Sequence, residues 1–262
     1  MPIHDDLGNR MKGYEQVPKT RLMRRTPVII RIDGKAFHTF TKGFARPFDE
    51  ALVEAMQETT KYLCENIQGC VLGYTQSDEI TLVLVDYAHL ETAAWFDYEV
   101  QKMCSIAASM ATMAFNKFFA ECATLEVHKK AMEKGAMFDA RVFNLPKEEV
   151  TNCIYWRQLD ATRNSIQMVG QAYFSHKELQ NKSCNMIQDM LMEQKHINWN
   201  NYPTHLKRGT CVVKEKYFLG EPAPDSIGDP AVYRTYWKID KEIPIFRGEG
   251  REYIEKLIQV GE

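Results

Sequence analysis

A short run of β-branched apolar residues constrains the fold of this chain more than any other feature. Residues Val28–Ile30 and then Ile32 are apolar on both faces of an extended segment, which predicts a strand buried inside a sheet. The strand is followed at once by Asp33 and Gly34, an acid and a residue that lets the backbone approach a ligand closely. Such a strand end is typical either of a plain Asp-Gly turn or of a site that holds a phosphate or a metal ion, and this stretch by itself leaves both open.

The order of the elements that follow predicts the fold class. Apolar spacing and turn residues indicate a helix over Asp49–Cys64, strands over Val71–Tyr74 and Ile80–Val85, a long helix over Trp95–Phe119 and a strand over Phe138–Phe143. The order strand, helix, hairpin, helix, strand is that of a ferredoxin-like βαββαβ unit. We therefore predict an α+β fold with a polymerase-palm-type antiparallel sheet and helices on one side of it.

The second half of the chain predicts a mostly helical extension. It has helical spacing over Lys147–Met168 and Lys177–Gln194, strand-like stretches over Thr210–Phe218 and Tyr233–Ile239, an intervening loop over Glu221–Pro230, and a docking helix within Ile243–Val260. We expect residues 1–145 to form a palm-like catalytic core. Residues 146–262 are expected to pack on that core instead of forming an independent domain.

Charge and cysteine content restrict the partners and the compartment. The formal net charge is −2, so a nucleic acid must be held by local clusters of Lys and Arg and not by a basic surface as a whole. The seven cysteines have no spacing that suits zinc and are expected as reduced thiols, which indicates a cytoplasmic protein. No apolar run approaches membrane-spanning length and the N-terminus lacks an apolar leader, so we expect no membrane partner.

The predicted topology gives Asp33 two acidic neighbours. In a βαββαβ unit the first and third strands lie side by side, so the hairpin turn brings Asp78 and Glu79 to the edge where Asp33 ends its strand. Carboxylates held close together raise each other's pKa unless a cation is bound. Oxygen ligands without His or Cys favour Mg²⁺, and two such ions serve phosphoryl or nucleotidyl transfer. The acids therefore predict a magnesium-dependent catalytic site.

Several segments together resemble one known family. They are IRIDGKAFHTF (30–40), GYTQSDEITLVL (73–84), Phe44–Pro47, Phe138–Arg141, Trp156–Asp160 and Arg208–Thr210, and they follow one another in the family's order. On these segments the chain resembles the tRNA(His) guanylyltransferase family, including its Thg1-like branch. Members of that family add nucleotides in the 3′–5′ direction to the 5′ end of tRNA. The last part of the chain carries little of the resemblance.

The resemblance implies roles for individual residues. Asp33, the main-chain carbonyl of Gly34, and Asp78 would hold two Mg²⁺ ions, with Glu79 as an adjacent catalytic acid that supports them. The nucleotide would be bound by Asp33, Gly34, Lys35, Ala36, Phe37, His38, Ser77 and Asp78. Contacts to phosphate or tRNA are implied for Arg46, Arg141, Asn164 and Arg208, although each arginine is equally compatible with an ordinary surface ion pair.

The resemblance also implies a reaction and its partners. The 5′ end of a tRNA would be adenylylated by ATP, and GTP or another NTP would then be added by templated pairing; the family's assembly implies a homotetramer.

One segment departs from the family. Where tRNA(His) enzymes carry His-Ile-Asn-Asn-Leu-Tyr-Asn, residues Thr162–Met168 retain only Asn164. This departure favours the Thg1-like branch, which restores missing nucleotides of truncated tRNAs, over selective addition of guanosine to tRNA(His).

Other functions stay open at this point. A ligase-type nucleotidyltransferase would need Lys-x-Asp-Gly, but Arg31 stays protonated and cannot form an adenylyl adduct. A palm-type nucleotide cyclase would use the same carboxylates on a free nucleotide. A non-catalytic RNA-binding relative would keep the fold alone, whereas Asp33, Ser77 and Asp78 are all present here. Incorporation of nucleotides that depends on RNA separates these functions.

Overall fold

The computed structural model describes residues 6–220 and 232–260. The helices in these ranges are α1 (Asp6–Gln16), α2 (Phe37–Phe40), α3 (Glu50–Asn66), α4 (Val100–Cys122), α5 (Glu126–Lys134), α6 (Lys147–Tyr173), α7 (His176–Leu179), α8 (Cys184–Lys195), α9 (Thr204–Arg208) and α10 (Glu252–Glu255). The strands are β1 (Val28–Gly34), β2 (Cys70–Gln76), β3 (Glu79–Leu84), β4 (Phe138–Asn144), β5 (Thr210–Gly220) and β6 (Val232–Asp240). Short 3₁₀ turns cover Trp95–Tyr98, Trp199–Asn201 and Gly248–Arg251.

A six-stranded antiparallel sheet in the order β4-β1-β3-β2-β5-β6 forms the centre of the described structure. Its first four strands have the order of a ferredoxin-like βαββαβ unit, and β5 and β6 extend the sheet beyond β2. Strand β1 is buried because β3 and β4 pair with it on its two sides. In this register Asp33 lies opposite Glu79. The predicted α+β fold class and the predicted neighbourhood of strands one and three are confirmed.

Helices α3 and α4 cover one face of the sheet, as predicted for the βαββαβ unit. Ile30 and Ile32 point from β1 into this layer and share a core with Leu63 of α3 and Phe115 of α4. Alternate residues of a strand point to opposite faces, so this core uses the even-numbered positions of β1. Helix α3 begins after Asp49, whose carboxylate accepts a hydrogen bond of 3.1 Å from the amide three residues later.

Helix α6 and the C-terminal segment cover part of the opposite face. Ile29 of β1 and Val83 of β3 pack there against Ile154 of α6 and Ile254 of α10 in a second core. This layer explains why the strands are apolar on both faces, a pattern that an open sheet would not show. The same packing supports the proposal that residues 146–262 form no independent domain.

Gln158 joins α6 to the C-terminal segment. Its Nε2 donates a hydrogen bond of 2.8 Å to the carbonyl of Pro244, and its Oε1 accepts one of 2.9 Å from the amide of Phe246. The carbonyl of Ile258 accepts a third bond, from the hydroxyl of Tyr87. The segment therefore docks on the core through turns and the single-turn helix α10, and not through the longer helix that its apolar spacing indicated.

Other departures from the predicted elements have local backbone causes. The long helix predicted from Trp95 begins only at Val100, because the 3₁₀ turn before it contains three residues with left-handed φ angles of 49°, 50° and 55°. The helix predicted over Lys177–Gln194 is divided into α7 and α8 by Asn181, whose φ is 60°. Helix α5 was not predicted. The predicted loop Glu221–Pro230 lies outside the described residues, and no helix within the described ranges is long and apolar enough to cross a membrane.

Candidate active site

The structure brings Asp33 and Asp78 to one edge of the sheet. Asp33 is the next-to-last residue of β1, and Asp78 lies with Ser77 in the two-residue turn between β2 and β3. The amide of Gly34 donates a hydrogen bond of 3.1 Å to the carbonyl of Asp78, which ties the strand end to the turn. Both carboxylates are half-buried at this edge. The arrangement follows from the antiparallel pairing of β1 with β3.

The surroundings of Asp78 disfavour the ionised form of its carboxyl group. Burial raises the pKa of Asp78 above its ordinary value, and the nearby charges of Asp33 and Glu79 raise it further. The hydroxyl of Ser77 opposes this effect by donating a hydrogen bond of 3.0 Å to Asp78 Oδ1. A raised pKa means that the ionised carboxylate is disfavoured here, and a cation bound beside it would reverse that balance.

The donor set of the site fits Mg²⁺ better than a metal enclosed by protein side chains. Within the described residues no group of three or more His, Cys, Asp or Glu side chains is placed to hold a metal ion. Asp33, Asp78 and the main-chain carbonyl of Gly34 offer oxygen donors only. Mg²⁺ commonly binds in this way, with one or two carboxylates and with waters and substrate phosphates completing the shell. The fit rests on the identity of these donors and on the raised pKa of Asp78.

Glu79 lies opposite Asp33 on the neighbouring strand, and its carboxylate is paired with Arg157, so its role as a supporting catalytic acid stays a prediction. Its Oε1 and Oε2 accept hydrogen bonds of 2.7 and 2.6 Å from Arg157 on α6, and both side chains are about nine-tenths buried. Arg157 in turn donates to Asp160 at 2.7 Å. Since each of its oxygens accepts a hydrogen bond from one guanidinium, Glu79 joins α6 to the strand beside the acids. Sequence spacing did not reveal its partner, since Arg157 lies 78 positions away.

The turn after β1 leaves three backbone amides directed away from the sheet ladder. The amides of Gly34 and Lys35 are already used, by the carbonyls of Asp78 and Met137. Ala36 has a left-handed φ of 53° and directly precedes the single-turn helix α2, whose first donors are residues 39 and 40. The amides of residues 36–38 precede those donors. Of the five turn residues 34–38 among those predicted to bind a nucleotide, it is therefore Ala36, Phe37 and His38 whose amides remain for a ligand.

Phe37 anchors this turn in the core. Its ring is buried and lies 5.4 Å from the ring of Phe115 on α4 and 5.1 Å from that of Phe138 on β4. A Cβ at Gly34 would overlap the Phe37 ring, so glycine is needed here for close packing. The side chains of Lys35 and His38, by contrast, are exposed. The turn is therefore anchored by a buried ring and carries two exposed side chains, of Lys35 and His38, on its outer side.

A cleft of about 620 Å³ opens next to these groups, a size suited to a nucleotide. Its lining residues come from the turn after β1, the following loop, the β2–β3 turn and α6: Gly34, Ala36, Phe37, His38, residues 41–47, Asp49, Leu52, Ser77, Asp78, Met168 and Gln171. The exposed Arg46 is among them, which places one predicted phosphate contact at the cleft. Asp78 lines the cleft directly, so acid and cavity form one site.

Asp49 holds the loop that forms one wall of the cleft. Besides capping α3, its buried carboxylate accepts a hydrogen bond of 3.1 Å from the amide of Ala45, directly before Arg46. His128 of α5 lies with Nε2 at 3.0 Å from the same carboxylate, and the imidazole is buried. Sequence reasoning missed this pair because α5 itself was not predicted. A histidine 79 positions from its partner gives no local signal.

A smaller pocket of about 90 Å³ continues the cleft between the sheet and α6. Gln76, Ser77, Asn164, Met168 and Thr210 are among its lining residues. Asn164, predicted as a phosphate or tRNA contact, therefore faces the same region as Ser77. The pocket is mostly apolar in lining, which suits a planar group better than a phosphate.

Arg141 and Arg208 are placed elsewhere in the described structure. Arg141 lies on β4, where its Nη2 donates a hydrogen bond of 3.2 Å to Asp139, and both side chains are exposed. Arg208 ends α9, and its main-chain carbonyl accepts a hydrogen bond of 2.6 Å from the hydroxyl of Tyr74. Neither residue lines the two cavities described above. Direct contact of either side chain with a nucleotide in the cleft is not supported.

Known proteins share both the sequence and the fold. A model of the family described as tRNAHis guanylyltransferase matches residues 8–146. A bacterial tRNA(His) guanylyltransferase (Thg1)-like protein solved in complex with ATP is 44% identical, with a TM-score of 0.84 over 97% of this chain and 100% of that one. For such a bacterial protein in complex with GTP, the identity is 42% and the TM-score 0.78, over 97% and 99% of the two chains. The Saccharomyces cerevisiae tRNA(His) guanylyltransferase is 25% identical, with a TM-score of 0.63 over 77% of this chain and 92% of that one. The resemblance seen in the sequence is confirmed, and the chain belongs to the tRNAHis guanylyltransferase family of nucleotidyltransferases.

Proposed function

We propose that this chain adds nucleotides in the 3′–5′ direction to the 5′ end of truncated tRNA, by templated pairing and after ATP-dependent activation of that end. The observation that carries the proposal is the pair of half-buried acids, Asp33 and Asp78, at one edge of the sheet, where Asp78 lines a nucleotide-sized cleft. The bacterial relatives solved with ATP and with GTP support nucleotides as substrates. The altered segment Thr162–Met168 supports repair of truncated tRNAs over selective extension of tRNA(His).

Asp33, the Gly34 carbonyl and Asp78 are proposed to hold two Mg²⁺ ions. When bound, the ions supply positive charge to phosphate oxygens and so stabilise charge that develops during transfer. The raised pKa of Asp78 supports this role, because an acid that resists ionisation in the free protein gains most from a neighbouring cation. Glu79 and Arg157 are proposed to position the hairpin turn that carries Asp78.

The nucleotide triphosphate is proposed to lie in the 620 Å³ cleft. The amides of residues 36–38 face its phosphates, Lys35 adds positive charge from outside the turn, and Ser77 borders both cavities. Arg46 contacts the phosphates from the loop held by Asp49. The base is proposed to occupy the smaller, mostly apolar pocket beside Asn164.

Two displacements at phosphorus account for the reaction. A 5′-phosphate oxygen of the tRNA attacks the α-phosphorus of ATP, which forms a 5′-adenylylated end and releases pyrophosphate. The 3′-hydroxyl of the incoming nucleotide then attacks the 5′ phosphorus, loses its proton and releases AMP. Neither step needs a serine or histidine nucleophile from the protein. The residues of this chain therefore contribute alignment and charge.

The test compares acid variants on a tRNA that lacks its first nucleotide. We expect Asp33→Ala and Asp78→Ala to reduce Mg²⁺-dependent incorporation of labelled GTP by at least about 100-fold, because each removes a metal ligand. Glu121→Gln on α4, an exposed acid on the far face of the sheet, is the matched control and should retain normal activity. Normal incorporation by either aspartate variant would contradict the site. A cyclic nucleotide formed without RNA would instead favour a palm-type cyclase.

We propose that the protein forms a homotetramer and that it acts in the cytoplasm. A tRNA is too long for one small domain to contact its acceptor end and its elbow together, which supports more than one subunit per tRNA. The seven cysteines, all free in the structure, are consistent with a reducing compartment. Mass measurement by light scattering with and without tRNA tests the assembly.

A further inference from the structure

Helix α6 presents a half-exposed tryptophan held by two arginines. The side chain of Trp156 is 56% exposed, although Ile154 on the same helix is fully buried. The guanidinium carbon of Arg157 lies 4.5 Å from the centre of the indole ring, and that of Arg31 lies 5.1 Å from it. Both distances are those of cation–π contacts. One exposed aromatic residue needs no explanation by itself, so the inference depends on what surrounds it.

The tryptophan borders the part of the sheet that α6 leaves uncovered. Arg31 lies two residues before Asp33 on β1, so both side chains leave the same face of the sheet about 7 Å apart along the strand. On the edge strand β4, Arg141 pairs with Arg31 and Asp139 pairs with Asp33. We call these five residues, including Trp156, the open sheet face. This surface runs across β1 and the edge strand β4 and ends at α6.

Arg31 is held rigidly under the tryptophan ring. It is only 9% exposed, and its Nε is one of four buried side-chain atoms in the described residues that have no hydrogen-bond partner. Glu79 Oε1 lies 3.5 Å from this Nε, and the Nη2 of Arg31 donates to Cys153 Sγ at 4.0 Å. The buried guanidinium therefore fixes one side of the indole ring and leaves the other side open to solvent.

Helix α6 also connects the open sheet face to the nucleotide cleft. Trp156, Asp160, Asn164 and Met168 follow one another at four-residue intervals and so lie along one side of the helix. Asn164 and Met168 line the cavities proposed for the nucleotide, and Trp156 is about 12 Å from Asn164 along the axis. Asp78 lines the cleft, whereas Asp33 belongs to the open sheet face. The two acids therefore lie where the two regions meet.

We propose that the open sheet face binds the 5′ end of the RNA, with the terminal nucleobase stacked on Trp156 and the 5′ phosphate directed to Asp33 and Asp78. This inference rests on the proposed function and adds the position of its second substrate. An indole stacks on any base, which suits an enzyme that extends ends of different sequence. Arg31 and Arg157 hold the ring and are buried against Glu79, whereas Arg141 on β4 and Arg163, two turns after Trp156 on α6, are exposed. These two exposed arginines are the ones placed to exchange their contacts with Asp139 and Asp160 for backbone phosphates.

The experiment uses a tRNA transcript that carries 2-aminopurine as its first nucleotide. Stacking on Trp156 should quench its fluorescence when the full-length protein is added without ATP. We expect Trp156→Ala to abolish this quenching and to raise the KM for tRNA by about 10- to 100-fold, the range for loss of one stacked base. The KM for GTP should change little. Trp156→Phe keeps a stacking surface and should restore quenching and bring the KM for tRNA to within about threefold of the original value.

Controls separate this role from effects on folding or assembly. Met113→Ala on α4 removes a side chain of equal exposure, 55%, from the covered side of the sheet and should change neither readout. Equal quenching by the original protein and by Trp156→Ala would overturn the inference, and so would a smaller subunit number for Trp156→Ala by light scattering. If the original protein incorporates no nucleotide into tRNA, the proposed function is wrong. If it incorporates nucleotides normally but does not quench the fluorescence, only the stacking inference is wrong.

Discussion

Asp78 has a raised pKa because it is buried beside two other acids, burial being the largest cause and Asp33 the next that raises it. The folded state therefore binds this proton more tightly than the unfolded state does. By linkage, the contribution of Asp78 to stability is most favourable below its ordinary pKa and declines as the pH rises through the raised value. At neutral pH the ionised side chain destabilises the fold until a cation binds. The ionised form of Asp78, which would bind the metal ion, is therefore unfavourable for the stability of the metal-free protein.

We predict that Asp78→Asn melts at a higher temperature than the original protein in metal-free buffer at pH 7. The amide removes the buried charge and still accepts the hydrogen bond from Ser77, so a rise of about 2 °C is expected for about 1 kcal/mol. Added Mg²⁺ should raise the melting temperature of the original protein and leave that of the variant unchanged. Thermal unfolding followed by circular dichroism measures both effects. If the variant melts at a lower temperature than the original protein without metal, the charge of Asp78 does not destabilise the metal-free fold, and the assignment is contradicted.

Gly34 provides a second prediction at this scale. A methyl group at this position would overlap the Phe37 ring, which is packed against α4 and β4, so Gly34→Ala should displace the turn. We expect a loss of about 1–3 kcal/mol in the free energy of unfolding, together with weaker nucleotide binding in a fluorescence titration. Gly13→Ala is the control, since nothing lies within 4 Å of its Cβ and α1 should gain slightly in stability. Unchanged nucleotide binding by Gly34→Ala would show that the turn tolerates displacement.

At the scale of elements, one carboxylate joins three parts of the structure. Asp49 caps α3, holds the loop before it through Ala45, and contacts His128 of α5. That loop forms a wall of the cleft and carries Arg46. The geometry of the nucleotide site therefore depends on a buried contact between helices that take no part in the chemistry.

We predict that Asp49→Ala lowers stability and weakens nucleotide binding together. Loss of the helix cap and of the partner of a buried imidazole should cost about 2–4 kcal/mol in the free energy of unfolding. Release of the loop should raise the KM for the nucleotide, on the order of tenfold, by misplacing Arg46. Ser183→Ala removes the N-cap of α8, outside both cavities, and should cost about 1 kcal/mol without a change in KM. Equal effects of both variants on KM would show that Asp49 acts through stability alone.

At the scale of the whole molecule, the sheet is stable because both of its faces are covered. Helices α3 and α4 bury one face, and α6 with the C-terminal segment buries much of the other. The uncovered part of the second face, next to β4, is the part that borders Asp33. The extension therefore completes the core and also limits where a large substrate reaches the acids.

A truncation tests whether the extension is part of one folding unit. Residues 1–145 expressed alone would expose the apolar side chains of Ile29, Leu72 and Val83, which the extension buries in the full chain. We expect this fragment to aggregate or to bind a hydrophobic dye strongly, whereas the full chain should do neither. Size-exclusion chromatography and dye fluorescence measure both outcomes. A monomeric fragment with a cooperative thermal transition would contradict the proposal that residues 146–262 form no independent domain.

The order of the βαββαβ elements and the pair of acids can be read from local patterns in the chain. The β-branched run in β1 and the helical spacing of α3 and α4 are local patterns, so periodicity is sufficient to identify them. The turn residues Ser77 and Asp78 are likewise recognisable, because a hairpin between two apolar strands leaves few other positions for polar residues. From the topology of the βαββαβ unit, the proximity of Asp33 and Asp78 follows without a structure.

Which polar groups are free and which are paired depends on packing between elements that are distant in the chain. Glu79 follows Asp78 directly in the chain, yet its pairing with Arg157 depends on how α6 crosses the sheet. The contact of His128 with Asp49 and the position of Trp156 beside Arg31 depend in the same way on packing between distant elements. Such pairings are set by the shape of the assembled layers and by the need to satisfy each buried charge, neither of which leaves a periodic trace in the sequence.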